Sequence, residues 1–261
     1  MTLFNPVSKQ AKLREAAIQE RIRLRLERRA TLQVARGLNA LSRSVASAYK
    51  ETGSLTAINL GVSRSQRILL AAFRSMYTDA VQAGKTHTLE EVPKAGLLAI
   101  ERKDVTGAID ALLTFWVRGR TADKVKKVTA TSKKKIKDII AIGTAEGLGQ
   151  EEVAKRIRNS MVITDRARSR TIARTETHSA MQNSSLKVAE TISNSSPLQK
   201  EWVSVEDGRT RHSHSTADGQ LVPVKSAFSV NGSALMHPGD PSGPAGEIIN
   251  CRCAMVYQEV A

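Results

Sequence analysis

Residues 164–192 read TDRARSRTIARTETHSAMQNSSLKVAETI, and residues 194–197 read Asn-Ser-Ser-Pro. In the first stretch Ile172, Thr175, Ser179 and Gln182 share one helical face, and Arg170, Arg174 and His178 share another. Thr164 is placed to cap the N-terminus, with Asp165 favourable near the positive end of the helix dipole. Small polar side chains are neutral helix formers at best, so tertiary contacts must hold this long helix. The Asn-Ser-Ser-Pro cluster breaks it. From residue 194 onward lie five of the seven prolines and six of the 16 glycines. KEWVSV (200–205) alternates like a strand. QLVPV (220–224) is a second candidate, with Pro223 favouring an edge. Asn231-Gly232 suits a hairpin turn. HPGDPSGPAG (237–246) reads as loop and CRCAMVYQEV (251–260) as a final strand. The fold class is therefore α+β, with a mainly α-helical N-terminal part of long helices followed by a small C-terminal α+β module. The divisions are 1–60, a basic helical arm; 61–193, a helical domain; and 194–261, the module.

Towards the N-terminus, Ile18, Ile22, Leu26 and Ala30 recur every four residues, and Val34, Leu38, Leu41 and Val45 continue the stripe, which predicts an amphipathic helix. A second helix is expected over 65–83, stopped at Gly84. Thr88 and Glu91 then form a capping box for the next segment, limited by Pro93. VTGAIDALLTFWVRGR (105–120) reads as another helix. Short helices are expected at DIIAIGTAEG (138–147) and GQEEVAKRIRNS (149–160), with glycines between them.

The 261 residues hold 40 Lys/Arg against 25 Asp/Glu, a net charge of +15. The excess is local. Residues 1–50 carry a net +8 and residues 118–138 a net +7, whereas 194–261 carry a net −2. Arg21, Arg23, Arg25, Arg28 and Arg29 in the first stretch, and Lys133, Lys134 and Lys135 in the second, are the candidate contacts to DNA or to an acidic protein surface. A solvated basic face on a packed helix is the alternative. Only 3% of residues are aromatic, too few for a stacking platform for single strands. Two cysteines one residue apart do not make a disulfide scaffold. No apolar run is long enough to span a membrane, and the N-terminus lacks an apolar signal core, so a soluble, intracellular protein is expected.

The chemistry-bearing residues gather near the C-terminus. Cys251 and Cys253, on one face of a strand about 7 Å apart, suit two thiolates converging on a metal. His214 or His212, with His237, completes a zinc site of two sulfurs and two nitrogens. Two reduced cysteines packed as small hydrophobes are the alternative. The His-x-Glu and Pro-Cys-x-x-Cys patterns of zinc deaminases are absent, as are glycine-rich phosphate loops. Glu176 or Asp207 with His178 has acid–base chemistry but no nucleophile motif beside it. The chain is not expected to be an enzyme; a metal-dependent enzyme is the less favoured reading. Arg174 and Glu176 are expected to tie the long helix to the α+β part through a polar network.

Read in order, Ile172-Ala-Arg-Thr-Glu-Thr177, Trp202, Asp207-Gly-Arg-Thr-Arg211, His214, Asp218-Gly-Gln220, Phe228, His237-Pro-Gly-Asp-Pro241 and Glu247-Ile-Ile-Asn-Cys-Arg-Cys253 resemble the phage head morphogenesis family, the minor head proteins typified by the F protein of phage Mu. The resemblance covers roughly 165–257. Its motif residues are Arg174, Thr175 and Glu176 on the helix, Trp202 on the strand, and Asp207, Arg209, Arg211 and Asp218 in the loops. Glu247, Asn250, Cys251 and Cys253 close the set.

The resemblance implies a structural protein of the virion head at the portal vertex, made in the host cytoplasm, that acts in head assembly, DNA packaging and DNA ejection. The implied partners are the portal protein and the major capsid protein. Packaged double-stranded DNA is a third partner, met through charge and independent of sequence. No membrane partner is implied during assembly. A sequence-independent DNA-binding protein outside the virion is the alternative reading.

Overall fold

The structure, a computed structural model, describes residues 8–92, 102–194 and 197–260. Four long helices come first: α1 (Lys9–Thr52), α2 (Thr56–Glu91), α3 (Arg102–Ala145) and α4 (Gln150–Ile192). The module follows with β1 (Leu198–Val203), α5 (His212–Ala217), β2 (Leu221–Pro223), β3 (Phe228–Val230), β4 (Ser233–Leu235), α6 (Ala245–Ile248) and β5 (Ala254–Glu259). The expected α+β class is what the chain adopts.

The helices are longer than their local signals. In α3, buried Ile109, Leu113, Val117, Val125, Val128, Ile136 and Ile140 recur at steps of three, four and eight. One unbroken apolar stripe therefore carries the helix straight through the basic run at 118–138, whose lysines fill the other faces. A break does occur at the expected glycines. Leu148 N–H donates to the Gly143 carbonyl and Gly147 N–H to the Thr144 carbonyl, with Gly147 at φ +70°. That is a Schellman end, and it needs glycine at the left-handed position. The next helix does not restart at Thr164, whose hydroxyl donates to the Ser160 carbonyl inside α4. Pro93 lies outside the described residues.

Two compact units result, each discontinuous in sequence. One unit contains 28–77 and 116–173. Its core includes Val34, Leu38, Leu41, Val45, Phe73, Met76 and Tyr77, all 0–1% exposed. A side chain of this size removed from water contributes about 1.5–3 kcal/mol. Gly61 permits a close crossing of α1 and α2, since a Cβ there would stand 2.4 Å from the Val45 Cα.

The other unit contains the described residues among 1–27, 78–115 and 174–261. β1 is the centre of an antiparallel sheet of order β2-β1-β5, and β3 pairs with β4 in a separate hairpin. Trp202 stands opposite Met255 and Val203 opposite Ala254. Asn231 and Gly232, at φ +50° and +74°, make the hairpin turn expected from sequence. Gly84 is not a helix stop here. It lies inside α2, where a Cβ would meet the Met181 carbonyl oxygen at 2.3 Å, so glycine lets α2 cross α4 closely. Thr88 is likewise interior to α2 and donates to the Gly84 carbonyl rather than capping a new helix.

The early part of α1 also departs from expectation. Ile18, Ile22 and Leu26 are only half-buried, and the fully packed positions are Gln19, Arg23 and Glu27. The polar face of α4 is the reason. Gln182 donates to Gln19, and Arg174 pairs with Glu27 at 3.0 Å. Burial of Gln19 and Glu27 is tolerated because each has a partner on α4, and that of Arg23 because Glu20 and Glu27 on its own helix pair with it.

Candidate metal centre

The C-terminal motif residues first build loops. Asp207 accepts its neighbour's backbone, Arg209 N–H, at 3.0 Å and both terminal nitrogens of Arg252 at 2.6 Å. The Arg252 hydrogen bonds hold its carboxyl well below the usual carboxylate range. Asp218 accepts the Ser204 N–H at 2.6 Å, and Arg211 donates to the Ile249 carbonyl. Asp240 accepts the Met236 and Ser242 N–H groups and so shapes the loop after β4. Asn250 turns the chain at φ +58°, with its N–H donated to the Thr175 hydroxyl on α4.

That turn delivers the cysteines. Both lie just before β5, outside the strand expected to carry them, and directly after the turn at Asn250. His214, on α5, meets them with Nδ1 at 3.7 Å from Cys251 Sγ and 3.3 Å from Cys253 Sγ. The three candidate ligand atoms all lie within 4.8 Å of one another. Behind the ring, His214 Nε2 stands 3.1 Å from a Glu247 carboxylate oxygen, although the N–H does not point squarely at it. Glu247 is itself held by the Ser213 hydroxyl at 2.7 Å and the Asn231 amide at 3.1 Å. Trp202 packs its ring edge to face on His214, with centroids 5.4 Å apart.

The electrostatics couple these groups. A hydrogen bond from the Cys253 thiol, against burial, holds Cys251 well below the ordinary thiol range, with His178 and His214 adding to the effect. The same bond, together with burial, pushes Cys253 well up. His214 is buried, which disfavours its charged form, but the Cys251 thiolate outweighs this and raises its pKa. The cysteines are 1% and 3% exposed. Sulfurs so enclosed leave room for an ion between them and His214.

His237 is not among the grouped residues. It is buried with Nδ1 at 3.1 Å from the Pro238 carbonyl, and burial lowers its pKa to about 4. His212 is exposed on α5. His178, considered from sequence only as an acid–base partner, is buried beside Cys251 instead, and both its ring nitrogens lack a well-formed hydrogen bond. Its helical spacing from Arg174 was the signal available for it. Ser213 and Asn231, the supports of Glu247, carried no metal-site signal at all. Arg174 joins α4 to α1 through Glu27, not to the α+β part as expected. Glu176 is buried on the same helix.

The expected polyanion contacts divide. Arg21, Arg25, Arg28, Arg29 and Lys134 are exposed, and Lys133 and Lys135 are half-buried, with Lys133 donating to Asn59 at 2.9 Å. Arg23 is 2% exposed and locked between Glu20 and Glu27, which removes it from the contact set.

Residues 134–256, just under half of the chain, match the family described as Phage Mu protein F like protein. This supports the resemblance to phage head morphogenesis proteins read from the motif order. No curated protein and no solved structure matches the chain.

Proposed function

From this match over residues 134–256, to the phage Mu protein F like family, we propose that the protein is a minor head protein of a tailed phage, bound at the portal vertex. The family match carries the reading, and the geometry is consistent with it. Asp207, Arg211, Asp218, Glu247 and Asn250 spend their polar groups on loops and turns of the module, as a docking unit requires. The module docks on portal or capsid protein and the basic helices meet packaged duplex DNA through phosphates, without base reading. The role is structural, in head assembly and DNA packaging, with a part in ejection. No helix among the described residues is long and apolar enough to cross a membrane.

The experiment is to trace the protein through purified virions, precursor heads and heads made with portal-deficient phage. Presence in the first two, and loss when the portal is missing, is the expected result. Absence from both kinds of particle overturns the proposal.

A further inference from the structure

We propose that Cys251, Cys253, His214 and His178 bind one zinc ion, and that Glu247 orients His214 for it. The edge lengths carry the first three ligands. Zinc bonds of about 2.3 Å to sulfur and 2.0–2.1 Å to nitrogen, at tetrahedral angles, place sulfur and nitrogen roughly 3.5 Å apart. His214 Nδ1 lies 3.7 and 3.3 Å from the two sulfurs, on either side of that value.

The outer partners fit the pattern of a ligating histidine. With Nδ1 turned to the sulfurs, the opposite nitrogen faces Glu247 at 3.1 Å, and Glu247 is anchored by Ser213 and Asn231. A carboxylate on the far nitrogen fixes the tautomer that leaves Nδ1 free to ligate. Trp202 closes the other side of the His214 ring and keeps water away.

His178 supplies the fourth ligand. It is 2% exposed, it borders Cys251, and neither ring nitrogen makes a well-formed hydrogen bond. Leaving a buried ring nitrogen unsatisfied is costly, and ligation through one nitrogen relieves that cost. Gly239 is fitted to this ring, since a Cβ there would stand 2.9 Å from His178 Cδ2. The His178 nitrogens lie outside the tight group of the other three, so binding draws the imidazole inward. Two thiolates and two imidazoles in tetrahedral array select zinc over harder cations. The site is closed and structural. It clamps the cysteine turn to α5 and to α4, and it stands on this geometry whatever the protein's place in the virion.

The full-length chain, purified without chelator, is expected to carry one zinc per molecule. After chelator stripping and cobalt(II) loading, it should show thiolate-to-cobalt charge transfer and the intense visible bands of tetrahedral cobalt. Neither reading needs a variant, so a misfolding substitution cannot obscure it. Cys253→Ser should lose about half of the charge-transfer intensity. His178→Gln should weaken cobalt binding at least tenfold, and Glu247→Gln by roughly 10–100-fold, while His237→Gln leaves it unchanged. Absence of zinc together with absence of the charge-transfer band overturns the site. Iron in place of zinc overturns the metal assignment. Unaltered binding in His178→Gln overturns the fourth ligand.

Discussion

Arg252 grips Asp207 with both terminal nitrogens at 2.6 Å, across 45 residues of chain. The pair fastens the loop before α5 to the turn that carries the cysteines, with Arg252 itself lying between the two. Asp207 is about a third exposed, so solvent screens the pair, but the bidentate geometry and the Arg209 N–H give it more hold than a surface contact.

Asp207→Asn should therefore lower the melting temperature at neutral pH. The folded pKa of Asp207 lies below its unfolded value, so its contribution is complete above the ordinary carboxylate range and is lost as pH falls through and below it. Thermal unfolding measured from about pH 7 down to pH 2 checks this. The difference between wild type and Asp207→Asn should shrink as the solution becomes acidic; a constant difference counts against the pair.

Lys200 predicts the opposite limb. It is fully buried, its ammonium donates to the Met236 carbonyl, and it lies 5.0 Å from the centre of the Phe228 ring. Burial lowers its pKa to about 8. The unfolded chain then binds more protons than the folded one between about 8 and the ordinary lysine value, so this group adds stability as pH rises through that window. The gain is at most about 3 kcal/mol. Denaturant unfolding of wild type and Lys200→Met, compared at neutral and alkaline pH, isolates the gain. Equal slopes in the two proteins would refute it.

Two helical glycines should respond with opposite signs. Gly84→Ala forces a methyl against the Met181 carbonyl and Ser184 hydroxyl and should destabilise by about 2 kcal/mol or more. Gly119→Ala meets no atom within 4 Å and should stabilise by about 0.5–1 kcal/mol. Urea unfolding of both variants tests the contrast.

If the basic helices contact DNA, Arg21→Gln, Arg25→Gln and Lys134→Gln should each reduce the salt slope of duplex binding by about 1, equally for unrelated sequences. Arg23→Gln should instead reduce stability, because Arg23 is paired inside the protein. Fluorescence titrations over a salt series distinguish the two. No duplex affinity at low salt would end the DNA part of the proposal.

Much of this architecture was legible from residue patterns, and the failures have local causes. The change of texture at 194 marks the true end of α4, and Asn231-Gly232 marks a true hairpin, because turn chemistry acts over a few residues. Helix continuity through Gly84, Thr164 and the lysines of α3 was not legible, since a glycine at a helix crossing and one at a helix end look alike in sequence. The convergence of His214, Cys251 and Cys253 was expected from residue type. Their approach through the Asn250 turn was not, because a left-handed asparagine carries no distinct sequence mark. The buried Gln19-Arg23-Glu27 line was missed for a similar reason: its explanation lies on α4, far away in the chain.

The Gln19 amide donates to the Met255 carbonyl, joining residues 236 apart. The polar face of α1 therefore has a partner that is synthesised 236 residues later. Lys12 waits in the same way for Glu201. Closing so long a loop costs only slightly more entropy than closing a shorter one, but it cannot begin until the partner exists. A chain terminated anywhere before β5 leaves β1 with an open edge and Gln19 without Met255, a species prone to aggregate and be degraded. These contacts of α1 thus wait for β5, and a protein made mostly of helices acquires its native state on the schedule of a six-residue strand.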